Sequence, residues 1–188
     1  MEAQLTNKTV RQYIDAVSDQ YYPMTGPVIA LMAAHAAALA EACMQLSLDH
    51  QVDKLDWQDV TGRIGQMAHL KDTLVEWSNQ DISTGRIDDA LAAVNGYHLA
   101  LCDYSTEIAR LSTQAVQILH DFRPLTYQAV AGDLEIVVYL LAGTAQAALR
   151  LLADNVAAES ASDAVQKYQA VMVDLTSQLA QLASAQPG

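Results

Sequence analysis

Apolar residues recur at helical spacing along most of the chain. The spacing predicts six helices, over residues 8–18, 27–48, 55–77, 87–120, 134–154 and from about residue 162 onward. No stretch alternates between apolar and polar residues for long enough to indicate a strand. We therefore expect an all-α, up-and-down-like bundle of six or seven helices that forms one domain over residues 1–188, with residues 183–188 a frayed tail.

Two of the predicted helices are apolar on nearly every side. Residues 28–46 carry only His35, Glu41 and Gln45 as polar side chains, and residues 134–154 are rich in alanine, glycine and threonine. Glu41 near the centre of a bilayer would cost about 2.5–3.5 kcal/mol, and alanine adds little to insertion. Both helices are therefore predicted to lie at the centre of a protein core and not in a membrane.

Small residues line both apolar helices, so their backbones are expected to approach each other or their symmetry mates closely. They are Ala30, Ala33, Ala34 and Ala37 in the first helix, and Ala142, Gly143, Ala147 and Ala148 in the second. A short bundle lacks enough of its own surface to cover two such helices. This predicts a homodimer.

Polar segments separate the predicted helices. Residues 79–86 contain a cluster of turn-forming residues, and Arg123-Pro124 interrupts the helical pattern. The stretch 87–120 exceeds a typical helix in length, which predicts a kink or break around residues 97–104. Pro27 is expected at the first position of its helix, where no N–H partner is needed.

Composition and charge exclude several classes of partner. The net charge is −12, which disfavours binding to nucleic acid or to an anionic membrane surface. Cys43 and Cys102 lie in apolar helical surroundings, as expected for small buried hydrophobes in a reducing compartment. The first residues are polar and acidic, unlike a signal peptide, so a cytoplasmic location is expected.

The order of these segments resembles the formiminotransferase-cyclodeaminase and methenyltetrahydrofolate cyclohydrolase family. Residues 21–28, Tyr-Tyr-Pro-Met-Thr-Gly-Pro-Val, lie where that family has a Pro-Thr-Pro-Gly-Gly-Gly-Ser loop, and an alanine-rich helix follows. Residues 131–134, Ala-Gly-Asp-Leu, are similar to its Ser-Asp-Leu segment, and Asn155-Val156 to its later Asn-Val pair. The resemblance covers nearly the whole chain.

The resemblance implies folate one-carbon chemistry on a tetrahydrofolate derivative as substrate, without a required cofactor or metal. The reaction is either cyclodeaminase ring closure with release of ammonia or cyclohydrolase addition of water to the methenyl bridge. It implies Asp133 as the catalytic acid/base group. It also implies Pro23, Met24, Thr25, Gly26 and Asn155 as ligand-binding residues.

Alternatives remain open at each of these positions. Of the loop's three glycines only Gly26 is present, and Pro27 replaces the serine, so Thr25-Gly26-Pro27 also fits a plain helix start. Asp133 before an apolar run also fits an N-cap, and Asn155 a cap at the end of its helix. The missing glycines and serine favour an alternative function, in which a non-catalytic helical homodimer binds a small molecule or acts as a scaffold. A third possible class is a helical protein that binds a partner protein.

Three further expectations concern geometry. His35 is expected to be a hydrogen-bonded core residue, and Glu41 to form a buried ion pair with Arg150. Residues 23–27 and Asp133 are expected to meet in one shared hollow, either within a chain or within its assembly. The enzymatic interpretation depends on this last expectation.

Overall fold

The computed structural model describes residues 5–19, 24–50, 56–85, 97–157 and 162–184. Six α-helices fill these ranges: α1 Val10–Ser18, α2 Thr25–His50, α3 Trp57–Gly85, α4 Tyr97–Phe122, α5 Ala131–Ala157 and α6 Ser162–Ser184. Short 3₁₀ turns occupy Leu5–Asn7, Arg123–Leu125 and Gln128–Val130. These ranges contain no strand, and the prediction of an all-α bundle is confirmed.

Helices α2, α3, α4 and α5 form the bundle, and α6 packs against α4 and α5. The alanines of α2 let its neighbours approach closely, because Ala30, Ala33, Ala37 and Ala40 are each fully buried. The prediction that α2 and the second apolar helix, α5, lie side by side is confirmed. Large apolar side chains from the other helices fill the rest of the core: Met67 and Leu74, Ile108 and Phe122, Leu134 and Leu141.

Helix α1 lies outside the bundle and begins with a capping box. The Thr9 side-chain oxygen accepts a hydrogen bond from the Gln12 backbone at 3.3 Å, and the Gln12 side chain accepts one from the Thr9 backbone at 3.0 Å. This reciprocal pair sets the start of α1 at Val10, two residues after the predicted Lys8. Tyr13 and Val17 of α1 then pack against the start of α2.

The predicted turn over residues 79–86 is wrong for residues 79–85, which form the last turns of α3. Ser78 donates its hydroxyl hydrogen to the Val75 carbonyl at 2.7 Å, and Asn79 donates its amide hydrogen to the same carbonyl at 3.1 Å. Their polar groups therefore bond within the helix instead of breaking it. Helix α4 begins at Tyr97 and continues without interruption through residues 97–104, where a kink or break was expected, and residues 86–96 lie outside the described part of the chain.

Glu41 pairs with Lys71 of α3 and not with Arg150, so the expected Glu41–Arg150 pair is wrong. The Lys71 Nζ and Glu41 Oε2 atoms are 2.8 Å apart, and each side chain is about seven-tenths buried. Arg150 lies on the exposed side of α5 and pairs with Asp154, one turn along the same helix. The register between α2 and α3 determines this pairing, and the spacing of apolar residues in the sequence does not predict that register.

Among the described residues, two segments are long and apolar enough to cross a membrane: α2, and residues 128–157, which include α5. The fold buries 61% of the most apolar window of α2, as expected for a core helix. Only 33% of the corresponding window in residues 128–157 is buried. A large part of the apolar surface of α5 therefore faces away from the core of the single chain.

Candidate functional site

The start of α2 is closed by packing. Met24, immediately before the helix, is 7% exposed and packs with Leu31 and with Tyr13 of α1, while Gly26 is buried and Thr25 is exposed. Helix α2 already begins at Thr25, so Pro27 is its third residue and not its first. Pro23 lies outside the described residues. This arrangement fits the helix-start alternative and leaves no open glycine loop at residues 24–27.

Asp133 is the third residue of α5, on the exposed side of its first turn. No backbone N–H in the described part of the chain donates to its carboxylate, so the N-cap alternative is wrong. A 3₁₀ turn leads into the helix instead, and the Tyr127 backbone N–H donates to the Ser47 hydroxyl at 2.9 Å. This contact fixes the entry of α5 beside the C-terminal part of α2.

Asp133 lies within electrostatic range of Cys43 on α2. Burial raises the pKa of the Cys43 thiol, and the nearby Asp133 carboxylate raises it further. Cys43 lies seventeen residues after Gly26 on α2, about 25 Å at the rise of an α-helix. Within one chain, therefore, Asp133 and residues 24–27 share no hollow, because they lie near opposite ends of α2.

Asn155 joins α5 to α4. Its side-chain amide donates to the Leu101 carbonyl at 3.2 Å and lies 3.3 Å from the Ser105 hydroxyl oxygen. The amide group therefore ties together two core helices at the end of the bundle away from Asp133. None of the other predicted site residues within the described ranges lies at this position.

A groove between α1, α2 and α3 is lined by both apolar and charged groups. Its volume is about 680 Å³, within the range typical of small-molecule sites. Eight of the residues that line it are apolar or aromatic: Val10, Tyr13, Ile14, Leu31, Met32, Ala34, Ala38 and Val75. A flat apolar body fits such a lining.

Thr6, Lys8, His35 and Lys71 give the groove its polar groups. The chain has only four lysines, and two of them line this one groove although the net charge is −12. The hydrogen bond with Glu41 raises the pKa of Lys71 and keeps its ammonium charged. Lys8 pairs with no carboxylate in the described part of the chain, so the groove offers a free cation to an anionic ligand.

Sequence reasoning missed this groove, although it assigned the correct face of α1. Val10 and Ile14, on the apolar face of α1, remain 71% and 53% exposed. A helix whose apolar face stays open beside two lysines is the signal that points to a ligand site. His35, expected in the core, is exposed and lines the groove.

A second feature is an exposed apolar surface shared by α2 and α5, here named the α2–α5 face. It consists of Met32, Leu39 and Leu46, spaced one heptad apart on α2, and of Ile136 and Leu140 on α5. Each of these side chains is between 41% and 55% exposed. Gly143 and Ala147 continue the surface along α5 with small residues. In the described part of the chain no group of three His, Cys, Asp or Glu side chains is placed to hold a metal ion.

Comparison with known proteins identifies the fold. No protein-family model and no curated protein matches the sequence. The crystal structure of formiminotetrahydrofolate cyclodeaminase from Thermotoga maritima superposes with a TM-score of 0.80, over 95% of this chain and 93% of that one. The two sequences are 16% identical, so the similarity shows the fold alone. It confirms the resemblance in architecture across nearly the whole chain.

Proposed function

We propose that this protein binds a folate-type ligand in the groove between α1, α2 and α3, and that it acts on the ligand as a one-carbon enzyme of the cyclodeaminase or cyclohydrolase class. One observation carries the proposal: a groove with apolar walls and two lysines lies in the fold of a formiminotetrahydrofolate cyclodeaminase. A folate joins a flat aromatic ring system to carboxylates. The apolar walls suit the rings, and Lys8 and Lys71 suit the carboxylates.

The protein is proposed to work as a homodimer through the α2–α5 face. Helices α2 and α5 both turn apolar side chains outward there, and a second copy of the same face supplies matching apolar cover. A face rich in leucine, isoleucine and small residues is typical of an interface in a soluble protein.

We further propose that the twofold axis of this dimer crosses α2 near Leu39, the middle one of the three residues that α2 contributes to the face. Within one chain, Asp133 lies in electrostatic range of Cys43. Cys43 follows His35, which lines the groove, by eight residues, or about 12 Å along α2. The axis relates positions equally far before and after Leu39, so it brings Asp133 of the second copy level with His35. The predicted acid/base residue then reaches the groove from the other copy, although it does not line the groove of its own chain.

Both reactions need proton transfer around a tetrahedral carbon. In the cyclodeaminase direction, N10 of 5-formiminotetrahydrofolate bonds to the formimino carbon, and the former imino nitrogen leaves as ammonia. In the cyclohydrolase direction, water adds to the carbon that bridges N5 and N10, and one carbon–nitrogen bond then breaks. A carboxylate at the groove can accept or return a proton in either case.

Two assays test the proposal. Calorimetry measures binding of 5-formyltetrahydrofolate, an unreactive ligand analogue, and a kinetic assay measures turnover of 5-formiminotetrahydrofolate and of the methenyl form. The Ala38→Phe variant fills the groove, and Ala170→Phe places the same ring on the exposed side of α6 as the matched control. Wild type and the control are expected to bind and turn over substrate, whereas Ala38→Phe is not. If the wild type neither binds the analogue nor accelerates either reaction, the proposal is refuted.

A non-catalytic binder is the second candidate function. The observation that favours it is the start of α2, where Met24 packs against Tyr13 and Leu31 in place of an open glycine loop. This alternative predicts binding of 5-formyltetrahydrofolate in the groove without turnover. It also predicts that Asp133→Ala changes stability at most, and no reaction rate.

A further inference from the structure

His35 presents a proton-accepting nitrogen to the groove. Its Nδ1 atom lies 2.7 Å from the Leu31 carbonyl oxygen, one turn earlier on α2. A carbonyl oxygen only accepts hydrogen bonds, so in the neutral ring Nδ1 carries the hydrogen and Nε2 carries the lone pair. Within the described part of the chain Nε2 has no hydrogen-bond partner. The backbone of α2 thus fixes which nitrogen is free.

The other titratable groups of the groove are unsuited to moving a proton near neutral pH. Burial raises the pKa of the Tyr13 phenol above its ordinary value of 10.0, which keeps it neutral. Lys8 and Lys71 are ammonium ions, and the Glu41 carboxylate is engaged with Lys71 at 2.8 Å. Histidine is the side-chain type among them that gains and loses a proton near pH 7.

We infer that His35 is a catalytic residue of this groove, the group that carries the proton between the attacking and leaving nitrogens of the substrate. The inference rests on the proposed function and adds a residue to it. In the cyclodeaminase direction, the substrate reacts with its formimino nitrogen protonated, as =NH2⁺. N10 bonds to the formimino carbon, the carbon–nitrogen double bond becomes a single bond to a neutral amino group, and His35 Nε2 takes the N10 proton. The imidazolium then gives that proton to the departing amino group, the carbon–nitrogen bond breaks, and ammonia leaves. His35 returns to its starting tautomer, with no net gain or loss of protons.

Asp133 of the second copy has a defined part in this step. A carboxylate level with the imidazole stabilises the imidazolium while it exists and needs no direct contact with the reacting nitrogens. Lys71 stays paired with Glu41 and serves to bind the anionic part of the ligand. The groove then contains one neutral base from its own chain and one anion from the other.

His50 provides an internal control. Its Nδ1 atom lies 2.9 Å from the Leu46 carbonyl, the same bond to the preceding turn that His35 makes. The ring, however, stacks on Tyr127 with 4.6 Å between ring centroids, at the far end of α2 from the groove. Any effect that comes merely from losing a helical histidine should appear equally in both variants.

The experiment combines ring-nitrogen NMR with kinetics on the intact protein. In the wild type, 5-formyltetrahydrofolate is expected to shift the Nε2 resonance of His35 and to leave that of His50 unchanged. His35→Gln should lower kcat for 5-formiminotetrahydrofolate by about 100-fold or more with little change in KM, the usual share of one acid/base group. His50→Gln should keep the wild-type kcat. Circular dichroism and thermal melting of both variants establish that each is folded.

Each remaining outcome overturns the inference, and the outcomes separate it from the proposed function. If the wild type turns substrate over and folded His35→Gln does so at the same rate, His35 carries no proton while the proposed function stands. Binding of 5-formyltetrahydrofolate without turnover leaves a ligand site with no proton transfer and also removes the inference. If the analogue does not bind at all, the proposed function and the inference fail together.

Discussion

Truncation of Leu39 should weaken the proposed homodimer by a predictable amount. Leu39 lies in the middle of the α2–α5 face and keeps 44% of its surface exposed in the single chain. Full burial of a leucine side chain contributes about 1.5–3 kcal/mol, so covering the exposed part contributes about 1 kcal/mol. A twofold interface contains the residue twice, which gives about 2 kcal/mol and a rise of about 30-fold in Kd for Leu39→Ala.

Sedimentation equilibrium over a range of concentrations measures this Kd directly. Leu39→Glu should go further and leave a monomer at micromolar concentration, because two carboxylates would be buried across the axis. Val173→Ala is the matched control, since Val173 is 72% exposed on α6, outside the α2–α5 face. A wild type that is monomeric at these concentrations would refute the reasoning, as would equal effects of Leu39→Ala and Val173→Ala.

Three further predictions concern stability. The raised pKa of Cys43 keeps its thiol neutral in the folded protein, whereas the thiol of the unfolded chain ionises at its ordinary pKa of 9.0. The free energy of unfolding should therefore fall as the pH rises above 9.0. Thermal melts over this pH range should show a shallower fall for Cys43→Ala. Glu41→Gln should lower the free energy of unfolding by about 1 kcal/mol at neutral pH, because Lys71 loses its partner, and urea melts that match the wild type would contradict this. Asn155→Ala should cost about 1–3 kcal/mol by freeing buried groups of α4, with 5-formyltetrahydrofolate binding unchanged by calorimetry.

The helices were predictable because their causes are local. The apolar spacing of α1 and α6 and the alanine run of α2 each define one element without reference to the rest of the chain. The interruption at Arg123-Pro124 was predictable for the same reason. The end of α3 was not, because Ser78 and Asn79 bond to a carbonyl of their own helix, a choice that depends on packing around Ser78.

The candidate site was harder to predict because it depends on register between helices. The sequence identified Asp133 and the start of α2, but motif order alone carries no distance between them. Cys43 and Ser47, which fix the entry of α5 beside the far part of α2, have no motif of their own. The groove likewise depends on how α1 is placed relative to α2 and α3, and the periodicity of a single helix does not determine that placement.

Mixing two inactive variants tests the central claim most directly, namely that the groove of one copy is completed by Asp133 of the other. Asp133→Asn keeps the groove and loses the carboxylate, whereas Ala38→Phe keeps the carboxylate and fills the groove. A mixed dimer then contains one complete site, made from the groove of the first variant and Asp133 of the second. Random exchange of subunits should restore about a quarter of the wild-type turnover.

The comparison needs turnover of 5-formiminotetrahydrofolate before and after the two variants exchange subunits, with each variant alone as the baseline. Recovery toward a quarter of the wild-type rate is the result predicted by a site shared between copies. If each variant is inactive alone and the mixture stays at that baseline although mixed dimers form, Asp133 does not serve the groove of the other copy. That result would contradict the account.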